Sequence, residues 1–231
     1  MKLLNIFFII FFSLLLKTAY SYELKEKTDL TSIDSIARIQ SLENDELSQC
    51  YQFSLRAFEC YESEWWSDCN SWRERSELAD EKKAPLEKMI GYSFWLFLPY
   101  DYPQIGVKQI LGQWHNDVDG PTLSQRFLNG KMWLDLMLGP DVTFKEFPID
   151  NFKIGQWNRF EYEIMWSEKG RILGSLNGKQ FVNYSGDTLG QHQKGLGPYF
   201  RFGIYRSHLY RLSFSKDRTQ RAYYCSYKRE F

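Results

Sequence analysis

The stretch YFRFGIYR, residues 199–206, alternates between two chemistries. Successive side chains of a β-strand point to opposite faces. Phe200, Phe202, Ile204 and Arg206 therefore share one face, and Tyr199, Arg201, Gly203 and Tyr205 share the other. The first set is mostly apolar and belongs against a core. The second is two phenols and a guanidinium, and Gly203 leaves a gap in which a bulky ligand has room to lie against the sheet. A strand of this kind is one wall of a sandwich whose outer face is a working surface.

The surrounding chain reads the same way. Phe, Trp and Tyr make up 18% of the 231 residues, and such side chains favour pleated, half-buried surfaces. Residues 89–98 read MIGYSFWLFL, too apolar for a strand with one wet face, so both faces are expected to be covered. Lys108–His115, Lys131–Leu138 and Arg159–Trp166 alternate, and Asn177-Gly178 between Arg171–Leu176 and Lys179–Tyr184 is a strong two-residue hairpin signal. Pro99, Pro103, Pro121, Pro140 and Pro148 fall between the apolar runs, as turn residues do. Strands at this spacing without long intervening helices define an all-β fold, a β-jelly roll or concanavalin-A-like sandwich of two antiparallel sheets.

The first residues carry an address rather than a fold. Lys2 precedes a run from Leu3 to Leu16 that is apolar except for Asn5 and Ser13. That run is shorter than the roughly 20 residues of a bilayer span, and Ala19-Tyr20-Ser21 supplies small residues for cleavage. Residues 1–21 are read as a signal peptide, which leaves no stable membrane anchor once removed. Residues 22–44 form a charged, loosely ordered lead-in with a short helix expected near Ile33–Leu42, and residues 45–231 form one domain. A secreted or periplasmic chain is the expectation, acting as a monomer. Without Lys2 and Lys17 the net charge is about −2. There is no global basic field, which argues against nucleic acid as a partner. Cys50, Cys60, Cys69 and Cys225 are even in number and allow three pairings. The reading favours Cys60–Cys69 as a local staple and Cys50–Cys225 as a tie between distant segments.

Two further strands have mixed faces. KQILGQWH sets Gln113 and His115 on one face with Leu111, and Ile110, Gly112 and Trp114 on the other. WRERSEL sets Arg73, Arg75 and Glu77 together. If these strands lie beside residues 199–206 in one sheet, Arg75, Glu77, Gln113, His115, Arg201 and Tyr205 converge. The set has an imidazole base, a phenolic acid, amide donors and fixed positive charges. Trp133 and Trp65 are the tryptophans expected to be exposed as aromatic platforms.

Taken in order, RSEL (75–78), QWH (113–115) and YFRFGIY (199–205) resemble the three signatures of the jelly-roll polysaccharide lyases that cleave uronic-acid polymers. GYSFWLFLPYDYP, ILGQWH and PYFRFGIYR are similar to the heparin-lyase-like and glucuronan-lyase-like branch. Two positions depart from the alginate-lyase pattern: Trp114 stands where an aliphatic residue is usual, and Arg206 where a polar amide is usual. The resemblance implies that Arg75 and Gln113 bind the substrate carboxylate, and that His115 and Tyr205 transfer protons. Arg201 stands where the family has a lysine. Tyr199, Arg73 and Glu77 complete the substrate-binding set, with Glu77 orienting an arginine. The implied reaction is β-elimination at a 4-linked uronic acid of glucuronan, alginate or a glycosaminoglycan. The C5 proton leaves, the O4 bond breaks and an unsaturated uronate remains. Removing that proton beside a carboxylate requires the carboxylate to be neutralised. His115 serves as base and Tyr205 protonates O4. If both groups lie on one side of the sugar, Tyr205 does both, with its pKa lowered by Arg201. No metal or organic cofactor enters this scheme.

Two other functions fit the same fold. A lectin-like carbohydrate-binding module would not need an imidazole and a phenol placed to act together. A retaining glycosidase would need two carboxylates about 5–5.5 Å apart, often in a Glu-x-Asp-x-x-Glu string; no such string is present, and Glu161 and Glu163 share a strand face in an alternation ordinary for a solvent face.

Overall fold

The computed structural model describes the backbone of residues 24–26, and residues 47, 50–56, 60, 62, 64, 67–80, 82–116, 120–139, 144–190, 197–209 and 219–231. The signal segment, the helix expected near residues 33–42, and Trp65 lie outside them. The strands in chain order are β1 (Leu24–Glu26), β2 (Tyr51–Leu55), β3 (Arg73–Asp80), β4 (Met89–Phe97), β5 (Gln109–His115), β6 (Pro121–Leu128), β7 (Lys131–Met137), β8 (Phe144–Pro148), β9 (Trp157–Met165), β10 (Gly170–Leu176), β11 (Lys179–Gly186), β12 (Tyr199–Ser207) and β13 (Gln220–Glu230). They form a seven-stranded front sheet, β1-β3-β12-β5-β6-β7-β8, and a six-stranded back sheet, β11-β10-β9-β4-β13-β2. Among the described residues there is no α-helix. The architecture is the two-sheet antiparallel sandwich expected from the strand pattern.

The sheets meet through aromatic rings. Phe200, Phe202 and Trp114 of the front sheet and Phe94, Phe160, Tyr162 and Tyr224 of the back sheet are all at most 2% exposed. Phe200 lies 4.7 Å from Trp114 and 5.5 Å from Phe94, centroid to centroid. Phe202 lies 5.3 Å from Tyr224. Each such ring adds specific edge or stacking contact beyond its buried area. Trp114, one of the departures from the alginate-lyase motif, is thus core and has no part in the outer surface.

The MIGYSFWLF strand is fully buried on one face and covered on the other only toward its C-terminal end, in part correcting the expectation of two covered faces. Ile90, Tyr92, Phe94 and Leu96 fill the main core. Trp95 and Phe97, on the opposite face, pack with Trp157 against Tyr223 and Cys225 in a second apolar cluster. Cys225 is joined to Cys50 across a sequence separation of 175 residues, and Cys60 to Cys69 across nine, the pairings favoured from the sequence. Disulfides of this kind belong to an oxidising compartment. The hairpin at Asn177-Gly178 has φ of 51° and 76°, the doubly left-handed geometry that suits this dipeptide. Pro121 and Pro148 end strands instead of lying between them, positions at which a missing N–H is tolerated. From the lead-in, Leu24–Glu26 pairs with β3 as the edge of the front sheet.

Several strand pairs carry a register irregularity, and the one between β12 and β5 bears on the outer face. The β12–β5 register runs from Phe202↔Gly112 to Tyr205↔Ile110, with an irregularity between. Leu111 consequently joins the core with Trp114, and Ile110 stands opposite Tyr205. This corrects the assignment of Leu111 to the polar face. Gly203 sits at the irregularity with φ +138°, and a Cβ there would come within 2.2 Å of the Ser76 carbonyl oxygen. Backbone conformation and close strand approach, not space for a ligand, are what require glycine at this position.

Arg206, the other departure, points inward and is fully buried. It pairs with Glu74, donates to the Gln220 side-chain oxygen at 2.9 Å and to the Arg56 carbonyl at 2.9 Å. Gln220 Nε2 in turn donates to Gln109 Oε1 at 2.9 Å, which also accepts from the Tyr102 hydroxyl at 2.5 Å. A buried guanidinium is tolerated only with such a set of acceptors. Glu74→Ala should therefore lower unfolding stability by about 3–5 kcal/mol, measured as a shift of the urea midpoint. A Glu74→Leu/Arg206→Met double variant should recover most of that loss.

Candidate active site

Residues opposite one another in register face the same way, so the pairing of the front sheet defines its outer surface. Tyr205 pairs with Arg75, Gly203 with Glu77, and Ser207 with Arg73. On the other side of β12, Arg201 pairs with Gln113 and Tyr199 with His115. Gln113 pairs with Ser124, and Arg126 and Ser124 pair with Trp133 and Asp135. All eight site residues expected from the sequence are on this one face, extended by Arg126, Trp133 and Asp135.

They divide into two groups along β12. The first surrounds Tyr205. Asp68, fully buried, accepts from Nε and Nη2 of Arg75, the latter at 2.7 Å. Arg75 Nη1 lies 3.7 Å from Glu77 Oε2, and Gln113 Nε2 donates to Glu77 Oε1 at 2.5 Å. Glu77 thus orients the glutamine as well as the arginine. The Arg75 guanidinium carbon lies 5.1 Å from the centroid of the Tyr205 ring. Burial works to lower the Arg75 pKa, but the hydrogen bond that Arg75 donates to Asp68 and the charges of Glu77 and Asp68 outweigh it and hold the group cationic.

Burial raises the Tyr205 pKa above its ordinary value, against the opposing pull of Arg73 and Arg75. This reverses the expectation that a cation would lower it. Arg201, the residue expected to do so, lies four positions along β12, and its guanidinium is engaged elsewhere. The phenol is a proton donor in the resting protein.

The second group surrounds Tyr199. Arg201 donates from Nη2 to the Tyr199 hydroxyl, and its guanidinium carbon is 5.0 Å from that ring's centroid. Lys83 Nζ lies 5.2 Å from the same ring, and the His115 and Tyr199 centroids are 6.0 Å apart. Tyr199 is 5% exposed, so it shapes the cationic end of the cleft more than it offers surface. His115 and Tyr205 share the face but not the row. Tyr199, the partner of His115, is separated from Tyr205 along β12 by roughly 20 Å at about 3.3 Å per residue, with Arg201, Gln113 and Glu77 between.

Three residues escaped the sequence reading. Asp68 lies in the turn before β3, marked only by its neighbour Cys69. Arg126 and Asp135 are joined by an ion pair of 3.1 Å. Arg126 lies on β6, a strand too polar to stand out by apolar alternation. Trp133 is half-buried beside this pair, with Lys108 Nζ 5.5 Å from its ring. Burial raises the Asp135 pKa and lowers that of Arg126, and each partner opposes the shift of the other.

A groove of about 520 Å³ lies on the back sheet, lined by Arg159, Glu161, Glu163, Gln180, Lys228 and Glu230 among others. Glu161 is paired with Arg159 at 3.0 Å and accepts from Ser175 at 3.3 Å. Glu161 is thus engaged in surface pairing, and both carboxylates on which a glycosidase reading would rest, Glu161 and Glu163, lie on the sheet opposite the three motifs.

The polysaccharide lyase family model matches residues 26–227, and the chain belongs to that family. It is an enzyme of the polysaccharide lyase class, as the three motifs implied. No curated protein matches the chain by sequence. Among solved structures, an endo-β-1,4-glucuronan lyase from the fungus Trichoderma reesei superposes with a TM-score of 0.61 at 12% identity, covering 90% of this chain and 86% of that one. Alginate lyase A1-II′, a family-7 polysaccharide lyase, gives 0.59 at 17% identity, covering 90% and 94%. The receptor-binding domain of a botulinum neurotoxin C/D mosaic gives 0.52 at 11% identity, covering 90% and 42%. These likenesses establish the sandwich fold, which enzymes share with a receptor-binding domain.

Burial also raises the pKa values of Tyr102, Tyr162, Tyr224 and Tyr227. The folded chain holds protons that the unfolded chain releases near pH 10, so the stability they contribute is present below about pH 10 and is lost as pH rises above it. The phenolate absorbance of these four tyrosines should therefore rise together with loss of the β-sheet circular dichroism signal, after that of solvent-exposed tyrosines. Ionisation of these tyrosines in a chain that is still folded would contradict this account.

Proposed function

We propose that the protein is an exported lyase that cleaves a 4-linked polyuronate by β-elimination on the outer face of the front sheet. The observation that carries this reading is the group formed by Arg75, Gln113 and the protonated phenol of Tyr205. The Arg75 edge not engaged by Asp68 and the second N–H of the Gln113 amide are donors suited to a C5 carboxylate. Neutralising that carboxylate makes the adjacent C–H acidic enough to remove, and each preorganised donor is worth about 3 kcal/mol of barrier. Tyr205 donates its proton to O4 as the glycosidic bond breaks. The family resemblance assigns removal of the C5 proton to His115, and Arg201 and Arg73 hold neighbouring carboxylates of an extended chain along β12.

The separation of His115 from Tyr205 along the cleft favours a second route, in which Tyr205 serves as both base and acid. In that case substrate binding would first have to bring Arg75 and Arg73 to bear on the phenol. Export is supported by the leader-like first residues and by the two disulfides.

The neighbours named for glucuronan and alginate define the first substrates to try, with a glycosaminoglycan as a third. Wild-type protein should generate the ultraviolet absorbance of an unsaturated uronate on at least one of them, and no signal on any polyuronate would overturn the proposal. Tyr205→Phe should lower kcat by about 10²–10⁴, with little change in KM. His115→Ala should fall by a similar factor if the imidazole is the base. Full activity of His115→Ala, with Tyr205→Phe inactive, would assign both proton transfers to Tyr205.

A further inference from the structure

Arg75 is not held in place by its own strand. Its Nε and Nη2 both point to one carboxylate, Asp68, seven residues upstream in a turn that precedes β3. That turn is closed by the backbone itself. The Asp68 carbonyl accepts from the N–H groups of Ser71 at 3.1 Å and Arg73 at 2.9 Å, and the Cys69 carbonyl accepts from Trp72 at 3.3 Å. Trp72 adopts a left-handed φ of 56° to complete it. Ser67, on the other side of Asp68, bridges to Glu62, with its hydroxyl 3.0 Å from Glu62 Oε1. Cys69, adjacent to Asp68, is bonded to Cys60. Among the described residues of this short covalent ring, the fully buried Asp68 meets the arginine in a two-pronged contact.

We infer that Asp68 is a positioning residue for Arg75, and that the Cys60–Cys69 link is the brace that keeps it there. The Asp68 fork occupies the Nε/Nη2 edge of the guanidinium and turns the Nη1 side toward Glu77 and the cleft. A planar guanidinium fixed on one edge presents its other edge in a defined plane, which a lone flexible side chain does not. The arrangement also holds the group cationic although it is largely withdrawn from water. Without Asp68, Arg75 would swing toward Glu77, 3.7 Å away, and compete with Gln113 for that carboxylate. Both carboxylate-binding groups would then be misplaced together.

This inference rests on Arg75 binding the substrate carboxylate, so the test includes Arg75 itself. In the full-length disulfide-bonded protein, Asp68→Asn should lower kcat/KM on a cleaved polyuronate by about 10- to 100-fold, with KM raised. In an Arg75→Ala background the same change should cost nothing further, because its target is gone. A role in stability alone would reduce active protein equally in both backgrounds. The Cys60→Ser/Cys69→Ser double variant, which leaves Asp68 intact, should lower kcat/KM in the same direction and likewise lose its effect without Arg75. It also carries the test if Asp68→Asn does not fold. Unchanged kinetics in Asp68→Asn alongside an inactive Arg75→Ala would overturn the inference while sparing the proposed function. An Arg75→Ala protein of full activity would instead refute the carboxylate-binding role on which the inference stands.

Discussion

Burial of Phe200, Phe202 and Ile204 between the sheets is the constraint on which the rest depends. β12 lies inside the front sheet, between β3 and β5. Its inner face is locked by rings of the opposite sheet, so a slip of one residue would drive Tyr199, Arg201 and Tyr205 into the core. The apolar contacts therefore fix the outer face as firmly as the inner one. The neighbouring strands inherit that register, and Arg75, Glu77, Gln113 and His115 take their rows from it. Core packing and site geometry are two sides of the same strand.

The site is accordingly assembled from rigid elements with short polar links between them. Glu77 connects the arginine of β3 to the glutamine of β5, across the bare backbone at Gly203. The irregularity there exchanges Leu111 for Ile110 on the outer face and gives Tyr205 an aliphatic neighbour. A phenol with an apolar side chain on one side and guanidiniums on the other is kept neutral by burial while standing in a positive field. Such a group gives up its proton only when charge develops next to it, which is what the proposed protonation of O4 requires.

Much of this was legible in the sequence because alternation is a local property. The two-faced character of residues 199–206, the turn at Asn177-Gly178 and the mixed faces of QWH and RSEL all follow from spacing alone. Pairing is not local, and neither are irregularities. The faces of KQILGQWH exchange beside Gly112, where its register with both neighbouring strands shifts, and only the paired strands show it. Arg206 read correctly as inward-facing, but the acceptors that let it be buried come from Glu74, Gln220 and the Arg56 carbonyl, far away in the chain. Asp68 and Arg126 were missed for the same reason: their meaning lies in partners that only the folded chain supplies. The pKa of Tyr205 was misjudged because charge proximity can be guessed from sequence, whereas burial cannot.

The outermost strand of the front sheet, β8, has a consequence of its own. It is short, Lys145 and Glu146 are exposed, and it ends in Pro148 opposite Trp133. Such an edge offers few unpaired amides and carries charge where another chain would dock. This side of the front sheet is thus protected from edge-to-edge pairing with a second molecule.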